Sequence, residues 1–284
     1  MSGNGSAVQG TPFGREERAF EGKRVINYHV DGHIAVVEMD DPPANTYTHE
    51  MMRQLDEAFV DARFDPNVEV ILLIGKGDKF FSAGANIAML NSVTPEFKYM
   101  FCLHANETLS RLEQTPKLVI AALNGHCVGG GMEIAMAADI RIARKDAGKI
   151  GLPEVALGVL PGTGGTQRLA RLVGKSRAIE LMVTGKTFSF EQAADWGIVN
   201  EIIEGDGASF REQMLAYARQ FCTPNKAPMA VGHIKRAVQS GAEMPLEAGL
   251  TLERELQSLL FKSGDAKEGI AAYNEKRVAR FKNG

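Results

Sequence analysis

Apolar and polar residues alternate along residues 24–30 and again along 33–39, on either side of Asp31-Gly32. Two such runs joined by an Asp-Gly pair predict a β-hairpin. Asp41-Pro42-Pro43 ends the second strand. The period then changes. In residues 48–63, Met51, Leu55, Ala58, Phe59 and Ala62 recur at helical spacing behind Thr48, a good N-cap. Residues 68–74 are a short, β-branched apolar run, the pattern of a strand buried on both faces. The order repeats in kind. Thr94-Pro95-Glu96 opens a helix over 94–112, 118–123 is a second buried strand, a helix begins near Gly130, and 139–143 is a further strand. This alternation predicts an α/β fold with parallel strands and crossover helices. From about residue 199 the pattern turns helical, over 209–221, 227–239, 245–261 and 265–281. The expected division is a flexible leader (1–22), an α/β core (23–203) and a C-terminal helical module (204–284), whose apolar faces close the core or meet another subunit.

Composition narrows the classes. The 284 residues are 44% hydrophobic and 24% charged, with a formal net charge of −3. That describes a globular protein with a full core and no general affinity for nucleic acid or an anionic membrane. Cys102, Cys127 and Cys222 are odd in number and far apart, which argues against a disulfide framework and for a reducing compartment. Neither they nor the scattered histidines have metal-ligand spacing, so no metal is expected. No stretch approaches the roughly 18 apolar residues of a membrane span, and the leader lacks the apolar region of a secretory signal. A cytoplasmic location is the expectation.

Two glutamates carry the candidate chemistry. Glu133 closes Gly129-Gly130-Gly131-Met132-Glu133, and Glu154 follows Gly151-Leu152-Pro153. Two carboxyl groups at one substrate can accept a proton at one point and donate one at another. The glycine triplet at a strand-to-helix junction exposes backbone N–H groups, as does the small-residue turn Ser82-Ala83-Gly84-Ala85. Each turn can supply one donor to a negative oxygen. The same residues also read blandly, as tight packing turns, a first-turn helix carboxylate and an ordinary loop carboxylate. Asn86 has a bland reading too, as a bond to its own turn. Pro161-Gly162-Thr163-Gly164-Gly165-Thr166-Gln167-Arg168 lacks the lysine-hydroxyl ending of a phosphate loop. It reads as a loop that shapes the pocket behind Glu154 and opens a helix.

Three segments together are more specific. Phe81-Ser82-Ala83-Gly84-Ala85-Asn86-Ile87, Asn124-Gly125-His126-Cys127-Val128-Gly129-Gly130-Gly131-Met132-Glu133 and Leu152-Pro153-Glu154-Val155-Ala156-Leu157-Gly158 resemble the signatures of the crotonase superfamily. The likeness extends through Pro161–Leu169, Ala193–Val199 and the tail from Glu275 to Phe281. Within that superfamily the chain most resembles the enoyl-CoA hydratases.

The resemblance implies a spiral of ββα units followed by helices that form a homotrimer or a dimer of trimers. It implies hydration of a trans-2-enoyl-CoA, with the acyl-CoA thioester as substrate and no separate cofactor. Isomerase, other crotonase-type lyase or hydrolase activity, and a non-catalytic acyl-CoA-binding subunit are the alternatives. Glu133 and Glu154 fall at the catalytic carboxylates, Glu133 mainly for water and Glu154 mainly for the α-proton. Isomerases of the superfamily often lack the first, so both together favour a hydratase. Ala85 and Gly130 fall at the oxyanion hole, where a side chain on Gly130 is expected to block the thioester. Ala44, Ala83 and Ile87 fall along the CoA channel. Tyr273 and Lys276 fall at the tail position meeting the nucleotide end of CoA, often from a neighbouring subunit, with Lys276 expected on a helix beside Lys267, Arg277 and Arg280. The acyl pocket is expected from residues 89–101 and the C-terminal helices. Two departures stand out: Asn86 replaces a frequent Asp, and residues 40–47, through Tyr47, lack a basic residue for the CoA phosphates.

Overall fold

The computed structural model describes residues 23–284, so the expected leader lies outside the described residues. Strands β1 (Ile26–Asp31) and β2 (Ile34–Met39) form the hairpin, with Gly32 at φ 60° in its turn. Helix α1 (His49–Phe64) follows, and its N-cap Thr48 accepts from the Met51 N–H. Three passes of the chain then each lay down one strand in a large sheet and one in a small sheet. These are β3 (Val70–Gly75) with β4 (Phe80–Ser82), β5 (Leu118–Leu123) with β6 (His126–Val128), and β7 (Ile140–Arg144) with β8 (Lys149–Gly151). Helices α2 (Ile87–Ser92) and α3 (Pro95–Gln114) follow the first pass, and α4 (Gly130–Met136) follows the second. After the third come a 3-10 turn (Glu154–Leu157), α5 (Gly165–Val173), α6 (Lys175–Thr184), β9 (Phe188–Ser189) and α7 (Phe190–Asp195). Strand β10 (Glu201–Ile203) closes one edge, and α8 (Gly207–Arg219), α9 (Pro228–Gly241), α10 (Leu246–Leu260) and α11 (Gly264–Asn274) complete the chain. The large sheet runs β1-β2-β3-β5-β7-β10, parallel from β2 onward, and the small one β4-β6-β8-β9. This is the ββα spiral that the motifs implied.

The uninterrupted apolar strands have a direct cause in packing. Val70, Leu72 and Ile74 of β3 enter one buried cluster, while Ile71 and Leu73 enter the other. Strands β2 and β5 divide the same way, so both faces of the large sheet are covered. Helix α8 supplies the lid on the second face through Phe210, Met214 and Ala218. It therefore packs on the sheet although it begins just beyond the expected boundary at residue 203. Asn124 fixes the corner between the sheets: its side chain accepts from Gly75 N–H at 3.0 Å and donates to the Gly75 carbonyl at 2.8 Å and the Gly77 carbonyl at 2.6 Å.

Three-residue strands such as β4, β6 and β8 have too few positions to show a period, and the sequence pattern does not reveal them. The final helix differs from expectation in a way that matters. It ends at Asn274, not near residue 281. Lys276 takes a left-handed backbone, φ 54°, while its N–H bonds the Tyr273 carbonyl and the Arg277 N–H bonds the Ala272 carbonyl. That pair of bonds is a Schellman stop, which glycine usually supplies. The tail beyond is fastened locally: Lys282 and Asn283 N–H groups donate to the Asp265 carboxylate, and Arg277 pairs with Glu268.

Candidate active site

Strand β6 delivers the chain to Gly129, whose φ of 54° turns it sharply into α4. The seven residues of α4 are all buried, so Glu133 is carried into the interior at 1% exposure. The exposed first-turn reading is thereby excluded. Its Oε1 accepts from the Thr163 N–H at 2.7 Å and the Gly165 N–H at 2.8 Å. The loop before α5 lines the cavity through Leu160 and Gly162 and opens the helix as expected, and in addition it seats Glu133. Arg168 braces that loop with a bond to the Thr163 carbonyl at 3.2 Å, while its guanidinium is clamped by Glu113 at 2.7 and 2.6 Å.

Glu154 opens the 3-10 turn just after β8. A Cβ on Gly129 would stand 3.0 Å from Glu154 Oε1, so only glycine leaves the carboxylate this close to the turn. Among the described residues, Glu154 Oε2 is buried and takes no hydrogen bond. Burial, reinforced by the negative charge of Glu133, pushes the Glu154 pKa up to about 7. Burial also raises Glu133, opposed by the two amides that hold its anion. Lys98 pulls both carboxyl groups in the acidic direction.

Both glutamates line a cavity of about 680 Å³ that also exposes Ala83, Ala85, Ile87, Lys98 and Gly130. Its far wall is apolar, with Leu90, Val93, Leu157 and Leu160. Two backbone N–H groups border it. Gly130 is the first residue of α4 and has no intrahelical acceptor for its N–H. Ala85 bridges Tyr47 in parallel, with bonds from Tyr47 N–H to the Gly84 carbonyl and from Asn86 N–H to the Tyr47 carbonyl. That pattern uses the amides around Ala85 and turns its own N–H the other way. The turns are adjacent, since a Cβ on Gly84 would lie 3.1 Å from Gly130 N.

The remaining expected site residues divide. Ala83 and Ile87 line the cavity, Ile87 with 57% exposure. Ala44 does not; its carbonyl accepts from Ala83 N–H at 2.9 Å and so holds the turn from behind. Tyr273, 85% exposed, and Lys276 stand apart from the cavity of their own chain. Lys276 sits beyond α11, which corrects the expectation of a helical basic face. Of the stretch 89–101 expected to form the acyl pocket, Leu90, Asn91, Val93, Thr94, Pro95 and Lys98 line it, whereas no residue of α8–α11 does. A bare Gly130 has a steric reason in the fold: a Cβ there would run into the ring of Tyr47, which also lines the cavity. Asn86 follows its bland reading, its Oδ1 capping α2 at Met89 N–H, 3.0 Å away. Lys98, Tyr47 and Thr163 join the site only through the fold, since nothing local in the sequence aims them at the glutamates.

The model of the enoyl-CoA hydratase/isomerase family matches residues 29–284. The chain belongs to that family. Among members of the enoyl-CoA hydratase/isomerase family, a probable enoyl-CoA hydratase of Bacillus subtilis is 38% identical over 90% of this chain and 98% of its own length. A short-chain-enoyl-CoA hydratase of Clostridium acetobutylicum is 35% identical over 89% of this chain and 96% of its own. A solved enoyl-CoA hydratase from Geobacillus kaustophilus superposes with a TM-score of 0.88 at 45% identity, covering 92% of this chain and 98% of that one. Among the described residues no cluster of His, Cys, Asp and Glu could hold a metal ion, and no helix is long and apolar enough to cross a membrane.

Proposed function

We propose that the protein is an enoyl-CoA hydratase, adding water reversibly and in the syn sense to a trans-2-enoyl-CoA to give a 3-hydroxyacyl-CoA. The observation that carries this reading is the meeting of two carboxyl groups, differently seated, with two uncommitted amides at one largely apolar cavity. Hydratase names among relatives with near-complete coverage support it. In the forward direction Glu133 takes a proton from water as the water oxygen bonds to the β-carbon. The double-bond electrons move onto the thioester oxygen, where the Ala85 and Gly130 N–H groups stabilise the enolate. One such donor is typically worth about 2.7–4 kcal/mol. Glu154 then gives its proton to the α-carbon.

The seats suit this division. Two remote amides favour the anion of Glu133, while Glu154 keeps one bare buried oxygen and a pKa raised to about 7, which suits it to carry the proton. The working pair carries one proton between its members, and both directions of reaction draw on that state. The apolar end of the cavity, near Leu90, Val93, Leu157 and Leu160, takes the acyl tail.

Assembly extends the proposal. Helices α9–α11 expose Ile234, Val238, Leu246, Leu250, Leu259 and Ile270, an apolar surface suited to a homotrimer, alone or paired as a dimer of trimers. In such an assembly Tyr273 and Lys276 serve the nucleotide end of CoA bound to a neighbour. The three free cysteines fit a cytoplasmic enzyme.

An absorbance assay over short, long, branched and cyclic 2-enoyl-CoAs tests the reading. Loss of the conjugated thioester chromophore is expected with at least one of them. Formation of that chromophore from a 3-enoyl-CoA, without hydration of any 2-enoyl-CoA, would instead make the protein an isomerase.

A further inference from the structure

Tyr47 touches both oxyanion turns and the loop that seats Glu133. Its backbone makes the bridge around Ala85, donating to the Gly84 carbonyl at 2.9 Å and accepting from Asn86 N–H at 3.2 Å. Its ring occupies the space a side chain on Gly130 would need. Its hydroxyl is hydrogen-bonded to Thr163 Oγ1 at 3.0 Å, and the N–H of the same Thr163 holds Glu133 Oε1. The residue is 3% exposed and packs on Phe101, with ring centroids 5.5 Å apart, so it has little room to turn. Burial and then the Glu133 charge push its hydroxyl pKa upward, which keeps it neutral and unfit as a base.

Volume alone does not account for this side chain. A leucine or phenylalanine would fill the core between α1, α3 and the turn without placing a hydroxyl against Thr163. Conversely, a hydroxyl supplied from elsewhere would not support the Gly130 turn. We propose that Tyr47 is a positioning residue for the hydration reaction: its hydroxyl fixes the Thr163 amide on Glu133, and its ring sets the Gly130 amide relative to that of Ala85. This rests on the hydratase reading given above. It makes one residue responsible for keeping the water-activating carboxylate and the oxyanion donors in register.

Two arms test it. Tyr47→Phe and Thr163→Val remove the same hydrogen bond. Each is expected to lower kcat roughly 3- to 10-fold with KM changed less than about twofold, and the double variant is expected to be no slower than the slower single one. Fold losses that instead multiply, or a Tyr47→Phe enzyme with parental kcat, would overturn the role of the hydroxyl. The second arm uses acetoacetyl-CoA, whose enolate absorbs in the ultraviolet and is favoured by donors at its thioester oxygen. Tyr47→Leu withdraws the ring from Gly130 and is expected to weaken the enolate band of the bound ligand, while Tyr47→Phe keeps the band. Tyr47→Met replaces the leucine variant should circular dichroism show that one unfolded. A parental band in a folded leucine or methionine variant would overturn the role of the ring. The outcomes separate the two readings: a parent that hydrates no enoyl-CoA yet shows the band defeats the hydratase assignment while the ring is still judged, and a parent without the band defeats both.

Discussion

Glu133 and Glu154 face the same cavity from unlike seats. Glu133 rides on a buried helix and is tied by two amides from a loop thirty residues onward. Glu154 stands on a single 3-10 turn, partly buried, with one carboxylate oxygen that no group among the described residues bonds. Burial raises both, opposed at Glu133 by two amides from the distant loop and at Glu154 only by the backbone of its own turn. Two residues of one type thereby acquire unlike settings for a proton, which suits a reaction that takes one from water at the β-carbon and gives one to the α-carbon. The difference lies in the surroundings rather than in the side chains, and it can be attacked from either side.

The largest effect is expected from removing either carboxylate. Glu133→Gln and Glu154→Gln preserve shape and should each lower kcat at least about 100-fold, with little change in thioester affinity by equilibrium titration. Near-parental turnover in either variant would end the two-carboxylate mechanism. A smaller loss, on the order of 10-fold in kcat, is expected from Gly165→Ala. The new Cβ would fall 2.8 Å from Pro161 Cβ and 2.9 Å from Glu133 Oε1, displacing one of the two amides that hold the carboxylate.

The pH profile comes next. Because the pair works with one proton, kcat/KM should fall as pH rises through about 7, where Glu154 ionises, and with the same alkaline limb for hydration and dehydration. A pantetheine thioester keeps the CoA phosphates out of the titration. Lys98→Met removes a cation that holds both pKa values down, so the limb should move to higher pH. A shift to lower pH would contradict the electrostatic picture. The smallest effect is on stability. The folded protein raises Glu154 from its ordinary 4.5 to about 7, so the ionised carboxylate destabilises the fold increasingly as pH climbs between those values and fully above 7. Glu154→Gln should therefore melt a few degrees higher than the parent at pH 8, roughly 2–6 °C, with the gain fading toward pH 4.5.

Much of this molecule was legible before folding. The apolar runs marking β3 and β5 could be read because both faces of each strand are buried, and the capping threonines Thr48 and Thr94 act within three residues of themselves. The motif segments located both glutamates and both candidate amide donors because each signature is a short contiguous turn. The seat of Glu133 is not legible in the sequence, because the amides that hold it come from a loop thirty residues onward whose pocket-lining role alone has a local signal. Lys276 was misplaced because helical periodicity in the tail outweighed a stop that carries no glycine.

The sequence by itself determined the longer strands and helices, the glycine-marked turns, and which carboxyl groups and backbone amides are available for chemistry. Those properties depend on neighbours a few positions away, through side-chain periodicity, capping and the steric freedom of glycine. Tertiary structure alone decided which carboxylate is tied by a distant loop and which keeps a bare buried oxygen, that Tyr47 stands beneath Gly130 and reaches Thr163, and that Lys98 shares the cavity with both glutamates. Desolvation, charge coupling and hydrogen bonding act through space over a few ångströms, so they are set only once strands and helices remote in the chain have been packed together.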